Sequence, residues 1–446
     1  MHCIYASFSF PFLCNSSNCR AKCRARSINP QRNQHQDFFS YRIRVGADKT
    51  SARTNHHAML FLSAVRPFSQ DLEDIREAGL WRELRSWDHS NGKIQAAESD
   101  QSLWNFAAND YLGLSHDESL RAAFQEGLQR YGHGSGASRL VSGSSPAHRD
   151  LEQAIAEHKK KQSSLLFSTG FAVAMGIIPA LLTKTDFVVL DKLSHACLID
   201  AARLSGATIR VFPHNDVPKL RKILASIRAT HGSSPRILIV TESVFSMDGD
   251  LAPLAELVQA KEEFEALLLV DEAHGYGVLG ATGGGLAEAC GLQERIDLQM
   301  GTLSKAAGLA GGFIAADGEI IQLLINRARS FIYSTAPPPA LAFAASHAVA
   351  IIRSEKGHEL REKLAANIRL FDDYSQHKSA IFPHIIGDNQ AALNAASRLR
   401  EQGFLVPAIR YPTVPRNTAR LRISLSAAHP AEAILSLRTQ IQDLPR

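Results

Sequence analysis

Residues 298–313 read LQMGTLSKAAGLAGGF, and the placement of Lys305 within them organises the reading of the whole chain. The apolar runs on either side, Leu298 to Thr302 and Gly312 to Ala315, have the length and composition of buried strands. Between them Thr302, Ser304, Lys305 and a set of alanines and glycines make a short connection. The ammonium of Lys305 is therefore placed at a strand end and not on a solvated helix face. An amine held in a desolvated site has a lowered pKa and can condense with a carbonyl. The same residues also suit a surface lysine in a Gly-rich turn, so the rest of the chain has to decide.

Upstream, further strands are predicted near Ser164 to Phe167, Phe187 to Leu190, Thr208 to Phe212, Ile237 to Thr241 and Leu267 to Asp271, with helical segments between them. This alternation predicts an α/β fold built on a mostly parallel seven-stranded sheet covered on both faces. Ligands of such sheets bind beyond the carboxyl ends of the strands. The polar residues gather there. Ser168-Thr169-Gly170-Phe171 opens a helix, where free backbone N–H groups and the helix dipole favour a phosphate. Asp191 to His195, Glu242 to Asp250 and Asp271-Glu272-Ala273-His274-Gly275 follow three other strands. Asp271 ends the run LLLV, so its carboxylate needs a facing cation unless it merely caps the residues after it. His274 fits a satisfied core histidine equally well on its own. Taken with Lys305, the group suits an aromatic aldehyde cofactor carrying a ring nitrogen and a phosphate.

The 446 residues, 45% hydrophobic and 21% charged, are those of an ordinary globular protein, and no apolar run is long enough to span a membrane. The net charge of +5 is concentrated at one end. Residues 1–58 hold nine basic side chains against Asp37 and Asp48, a surplus of seven, which leaves the remainder at −2 and removes the support for nucleic-acid binding. Cys3, Cys14, Cys19 and Cys23 also fall in this leader, while Cys197 and Cys290 stand alone in the body. That distribution describes neither a disulfide framework nor a common zinc site, so no metal is expected and a reducing, cytoplasmic compartment is. The leader reads as an organellar transit peptide or as upstream sequence before a start at Met59, the latter favoured by the apolar and helix-periodic segment that follows.

From Met59 onward, Leu72, Ile75, Leu80 and Leu84 predict an N-terminal arm helix over 69–87 with Ser69 as its N-cap. A short strand is expected over Leu103 to Ala107, then the polar turn Asn109-Asp110-Tyr111-Leu112-Gly113, a helix from Leu120 to Arg130 and the Gly-rich loop Gly132 to Arg139, suited to close approach of a ligand or a second subunit.

The motifs Ser168 to Phe171, Asp271 to Gly275 and Thr302-Leu303-Ser304-Lys305, in this order, resemble those of the pyridoxal phosphate enzymes of the aspartate aminotransferase fold, fold type I. Within them, Asn109 to Gly113, the Gly132 to Arg139 loop, Ser194-His195-Ala196 and Phe245-Ser246-Met247-Asp248-Gly249-Asp250 resemble the α-oxoamine synthases. The likeness extends from about Asp71 to near the C-terminus. It implies that Lys305 holds the cofactor as a Schiff base, that Asp271 pairs with the pyridinium nitrogen and that His195 stacks on the ring. It also implies that His274 and Ser246 hydrogen-bond around the ring oxygen, and that Gly170, Phe171 and Thr302 hold the phosphate region. Asn109 would lie near the substrate and Arg422 would take the amino acid carboxylate through two parallel hydrogen bonds. Arg410 and Thr413 would receive the acyl substrate, and Arg82 loosely matches a further substrate arginine of the family.

A finer resemblance, carried by Gly387-Asp388-Asn389, by Ala408 to Pro415 and by Thr418 to Arg422, is to the branch in biotin synthesis that joins L-alanine to a pimeloyl group on coenzyme A or acyl carrier protein. Arg416-Asn417 stands where that branch has a small residue and Gly. A sister enzyme such as glycine C-acetyltransferase would share every cofactor residue. The family implies a homodimer with the site at the subunit boundary. The expected division is a leader over 1–58, an N-terminal arm over 59–114 belonging to a smaller α+β domain, a large cofactor domain over 115–335, and the rest of the smaller domain over 336–446, entered at Pro337-Pro338-Pro339.

Overall fold

Seven strands that the sequence marks as apolar runs assemble into one sheet in a computed structural model, which describes residues 66–90, 92–96, 101–372 and 379–444. The leader and Met59 lie outside the described residues. Phe68–Arg446 form one compact unit. In chain order the first strands are β1 (Trp87–Ser90), β2 (Lys93–Ala96) and β3 (Ser102–Asn105). Next come β4 (Ser163–Phe167), β5 (Phe187–Asp191), β6 (Thr208–Phe212), β7 (Ile237–Glu242), β8 (Leu267–Asp271), β9 (Leu298–Thr302) and β10 (Gly312–Ala316). The last are β11 (Ile381–Gly387), β12 (Phe404–Leu405), β13 (Ala408–Ile409) and β14 (Ala419–Ser424).

The large sheet has the order β4-β10-β9-β8-β7-β5-β6. Strand β10 runs antiparallel to both its neighbours, and every other pair in the sheet is parallel. Alternation along each strand feeds two separate cores. On one face Val188, Leu190, Leu238, Val240 and Leu269 pack with Val173, Ile177 and Leu198 of the helices Gly170–Leu181 and Ala196–Ser205. On the other, Val189, Ile239, Leu268 and Val270 meet Leu220, Leu224 and Leu257 of the helices Val217–His231 and Leu254–Glu263. Both faces are covered, which is why these strands read as unbroken apolar runs.

A four-stranded sheet, β1-β2-β3-β12, and a three-stranded one, β11-β14-β13, complete the unit. They share a third core that includes Phe106, Tyr111, Leu303, Leu421 and Ile423. Pro339 occupies the first turn of the helix Pro339–Arg353, where its missing N–H has no role, so the proline run begins a helix as well as ending a segment. Among the described residues no helix is long and apolar enough to cross a membrane.

The N-terminal helix is shorter than predicted, Phe68–Glu77, and Ser69 lies inside it instead of capping it. Gly79 takes φ +65, its N–H reaches Arg76 O and that of Leu80 reaches Ile75 O, a Schellman closure that ends the helix before Leu80 and Leu84. The predicted strand over 103–107 is shifted to Ser102–Asn105, because Phe106 N and Ser424 N turn the chain into pairing with Leu405 and Phe106 carbonyls. Asn417 adopts φ +62, a left-handed conformation that asparagine tolerates better than most residues.

Candidate active site

Lys305 follows β9 in a tight turn closed by Gly308 N–H to Lys305 O at 2.9 Å. Gly308 takes φ +68, and a Cβ there would lie 2.4 Å from Ser115 N, so only glycine lets the turn pack this closely. Burial lowers the Lys305 pKa to about 8, against the attraction of Asp271 and Glu242. Its Nζ lies 2.9 Å from His274 Nε2. His274 Nδ1 lies 2.6 Å from the hydroxyl of Tyr111, which in turn donates to Asn109 Oδ1 at 3.1 Å. Arg422 on β14 donates from Nη1 to the same oxygen at 3.1 Å and to Ser424 Oγ at 2.7 Å, and from Nε to the Ser246 carbonyl at 2.5 Å.

The polarity of this chain is set by its ends. Burial, helped by Lys305 and Arg422, holds His274 well below the ordinary histidine range, so its imidazole is neutral, with one donor and one acceptor nitrogen. Tyr111 gives its proton to Asn109, so His274 Nδ1–H donates to Tyr111 and Nε2 is left to accept from Lys305. A neutral histidine thus aims a lone pair at the lysine.

Asp271 and Glu242 are register partners on β8 and β7, and both are buried. Burial raises Asp271, with Lys305 opposing, and its Oδ1 accepts from Ala273 N at 2.9 Å in a turn with no helix behind it. The helix-cap alternative for Asp271 is therefore set aside. Burial and the Asp271 carboxylate hold Glu242 well above the usual carboxylate range, and its Oε1 has no partner among the described residues. His195 is the N-cap of the helix Ala196–Ser205, with Nδ1 accepting from Cys197 N at 3.3 Å and 3.0 Å from Cys197 Sγ. Desolvation by the site walls lowers it, Asp271 pulling the other way.

Thr169 caps the twelve-residue helix Gly170–Leu181 by accepting from Ala172 N, so the N–H groups of Gly170 and Phe171 remain at its open end. A Cβ on Gly170 would lie 3.6 Å from Thr302 Cβ, which places Thr302 beside that end. Thr302 Oγ1 is 2.7 Å from Ser304 Oγ and donates to Gly311 O.

These observations bring Lys305, His274, Asn109, Ser246 and Arg422 into one bonded group, with Asp271 and His195 coupled to Lys305 through charge. Arg410, Arg82 and Thr413 stand apart from it. Arg410 donates from Nη1 to Gly79 O at 2.5 Å and from Nη2 to Trp81 O at 3.2 Å, and Thr413 N–H closes a turn on Arg410 O. Burial and the charge of exposed Arg82 lower Arg410. The ring of Tyr411 is covered by Arg416, 4.3 Å from its centroid, and not by Arg410. Tyr111, Glu242 and Ser304 are site groups that the sequence reading quoted without a role; Tyr111 lies in the polar turn after β3, and that turn was the available signal.

A family model described as aminotransferase class I and II matches residues 101–441. The 8-amino-7-oxononanoate synthase of Geobacter sulfurreducens is 45% identical over 372 residues, 82% of this chain and 94% of the relative. That of Beijerinckia indica is 43% identical over 376 residues, 84% of this chain and 96% of the relative. The chain belongs to the class I and II aminotransferases and to their 8-amino-7-oxononanoate synthase branch. Among solved structures, serine palmitoyltransferase of Sphingomonas wittichii superposes with a TM-score of 0.78 at 29% identity, covering 85% of this chain and 97% of that one. The same enzyme from S. paucimobilis, solved with a bound PLP-myriocin aldimine, gives the same score and coverage. An 8-amino-7-oxononanoate synthase from Francisella tularensis matches at TM-score 0.64 and 28% identity, covering 76% of this chain and 96% of that one.

Proposed function

We propose that this chain is a pyridoxal-phosphate-dependent 8-amino-7-oxononanoate synthase, condensing L-alanine with a pimeloyl thioester and releasing carbon dioxide and the free thiol. The observation that carries the reading is the bonded chain from Lys305 through His274, Tyr111 and Asn109 to Arg422, beside the buried Asp271. The residues fit the cofactor: an open helix end for a phosphate, a buried carboxylate in want of a cation, and a desolvated lysine between them.

Bound there, pyridoxal phosphate supplies an electron sink that makes the Cα proton of an attached amino acid acidic. Lys305 would hold it covalently and, once released, take the Cα proton with an amine poised near neutral pH. Asp271 would keep the ring nitrogen protonated, since a buried carboxylate gains most from a cation facing it. His195 would lie on the ring, while Ser246 and the neutral His274 would bond its oxygen. Gly170, Phe171 and Thr302 would bind the phosphate. Arg422, held beside Asn109, would take the alanine carboxylate with it. Arg82, Arg410 and Thr413 would form the acyl entrance.

Outward-facing Leu140, Val141, Phe171 and Tyr333 support a homodimer through this side of the molecule. A cofactor domain over 115–335, with 59–114 and 336–446 forming the smaller domain, completes the proposal. Side-by-side assays of thiol release test it. Turnover of L-alanine with pimeloyl-CoA should exceed that of glycine with acetyl-CoA; the reverse order would make the chain a glycine C-acetyltransferase and leave the cofactor chemistry standing.

A further inference from the structure

Two carboxylates of the strand-end motifs, Asp191 and Asp250, have no part in the site described so far. Between them lies His214, with Nδ1 3.0 Å from Asp191 Oδ1 and Nε2 2.7 Å from Asp250 Oδ2. Both ring nitrogens face carboxylate oxygens, which accept and never donate, so the imidazole has to donate from both sides and be charged. Burial works against that charge, but the hydrogen bonds to Asp191 and Asp250 carry its pKa to about 10.

The neighbouring residue reinforces the bridge. Asn215 sits in the left-handed region at φ 55, donating its N–H to Asp191 Oδ2 at 2.8 Å and its amide to Asp250 Oδ2 at 2.9 Å and Leu251 O at 3.2 Å. The edge of the Phe245 ring meets the imidazole at 4.3 Å and 85°.

Each of these aspartates belongs to one wall of the candidate active site. Asp191 Oδ1 accepts from Leu193 N at 2.8 Å and its carbonyl from Ser194 N at 3.1 Å, forming the turn that delivers His195. The Asp250 carbonyl accepts from Phe245 N at 3.0 Å, closing the loop that carries Ser246 and meets Arg422. Deprived of a cation, the two carboxylates would face each other with the Asp191 side chain fully buried.

We propose that His214, bridging Asp191 and Asp250, is a positioning residue that sets the separation of the His195 and Ser246 loops and so the width of the slot for the cofactor ring. The proposal rests on the cofactor reading given above.

Three variants test it: His214→Gln, His214→Arg and the double variant His214→Gln with Asp250→Asn. Two quantities are read for each, the dissociation constant of pyridoxal phosphate and amide hydrogen exchange over 191–198 and 244–252 in cofactor-free protein. Glutamine can donate to one carboxylate only and carries no charge, so the dissociation constant should rise by ~10-fold or more and both segments should exchange faster. Arginine keeps a two-sided cation and should stay within ~3-fold of the parent. The double variant removes one of the two opposed carboxylates and should recover most of the loss, a non-additivity that simple structural damage would not produce. A His214→Gln protein with parental affinity, an arginine variant as weak as the glutamine one, or additive effects in the double variant would each overturn the proposal. If His214→Gln does not fold, the double variant decides, since relief of the repulsion should restore it and a second failure counts against the proposal. A parent that takes up no pyridoxal phosphate would sink the functional reading instead, and the exchange data would still judge the clamp.

Discussion

Removing the Tyr111 hydroxyl, as Tyr111→Phe, cuts the bonded chain at its middle while leaving the buried ring and its packing in place. In the parent that oxygen lies 2.6 Å from His274 Nδ1 and 3.1 Å from Asn109 Oδ1. The phenyl ring leaves His274 Nδ1–H without an acceptor in a buried site, a loss of about 1–3 kcal/mol. It also frees His274 to place its proton on Nε2, against Lys305, and lets Asn109 turn away from Arg422. If this loss falls on the transition state, it corresponds to a fall of roughly 5- to 150-fold in kcat/KM for L-alanine. The KM of the acyl thioester should hold near the parental value, because Arg410 and Thr413 have no bond to this chain. Thiol release followed at varied alanine concentration measures the effect, and urea unfolding of both proteins checks that the fold is intact. A Tyr111→Phe enzyme with kcat/KM for alanine within about twofold of the parent would refute the relay.

Asp271→Asn, which removes the buried anion, should slow exchange of the alanine α-proton far more than it weakens alanine binding; proton exchange followed by NMR checks this, and equal rates in variant and parent would contradict it. Arg410→Ala should raise the acyl thioester KM by roughly 3- to 10-fold with little change in kcat, and speed amide exchange over 79–82, where its guanidinium holds two carbonyls. Stability should fall as pH drops from 6.5 to 4, because burial lowers His158 and His429 to about 4 and only the unfolded chain binds protons in that window. Each contributes on the order of 3 kcal/mol by pH 4, read as a falling urea midpoint, and a flat profile would show that neither ring is held neutral.

What the sequence made legible follows from physics. Strands β5, β7 and β8 are buried on both faces, so each appears as an apolar run ended by a polar residue, and the polar residues at those ends mark the site. The short strands β1 and β13 carry no such signal, because neither holds a fully buried residue and each is too short for an apolar pattern to show. Leu80 and Leu84 continue the apolar spacing and so predict a longer arm helix, whereas the left-handed Gly79 decides where it stops. Tyr111 was visible as part of a motif, yet its contact with His274 spans 163 positions, and no local pattern pairs residues across that distance. Arg410 was assigned to the acyl entrance from resemblance; its bonds to Gly79 and Trp81 add a role in holding the arm that its own neighbours in sequence do not reveal.

The most direct test of the account is where pyridoxal phosphate attaches. Protein incubated with it, reduced with borohydride and digested should yield one phosphopyridoxyl peptide, with the mark on Lys305, the buried lysine held near pKa 8 beside His274. A mark on another lysine, or none at all, would contradict it.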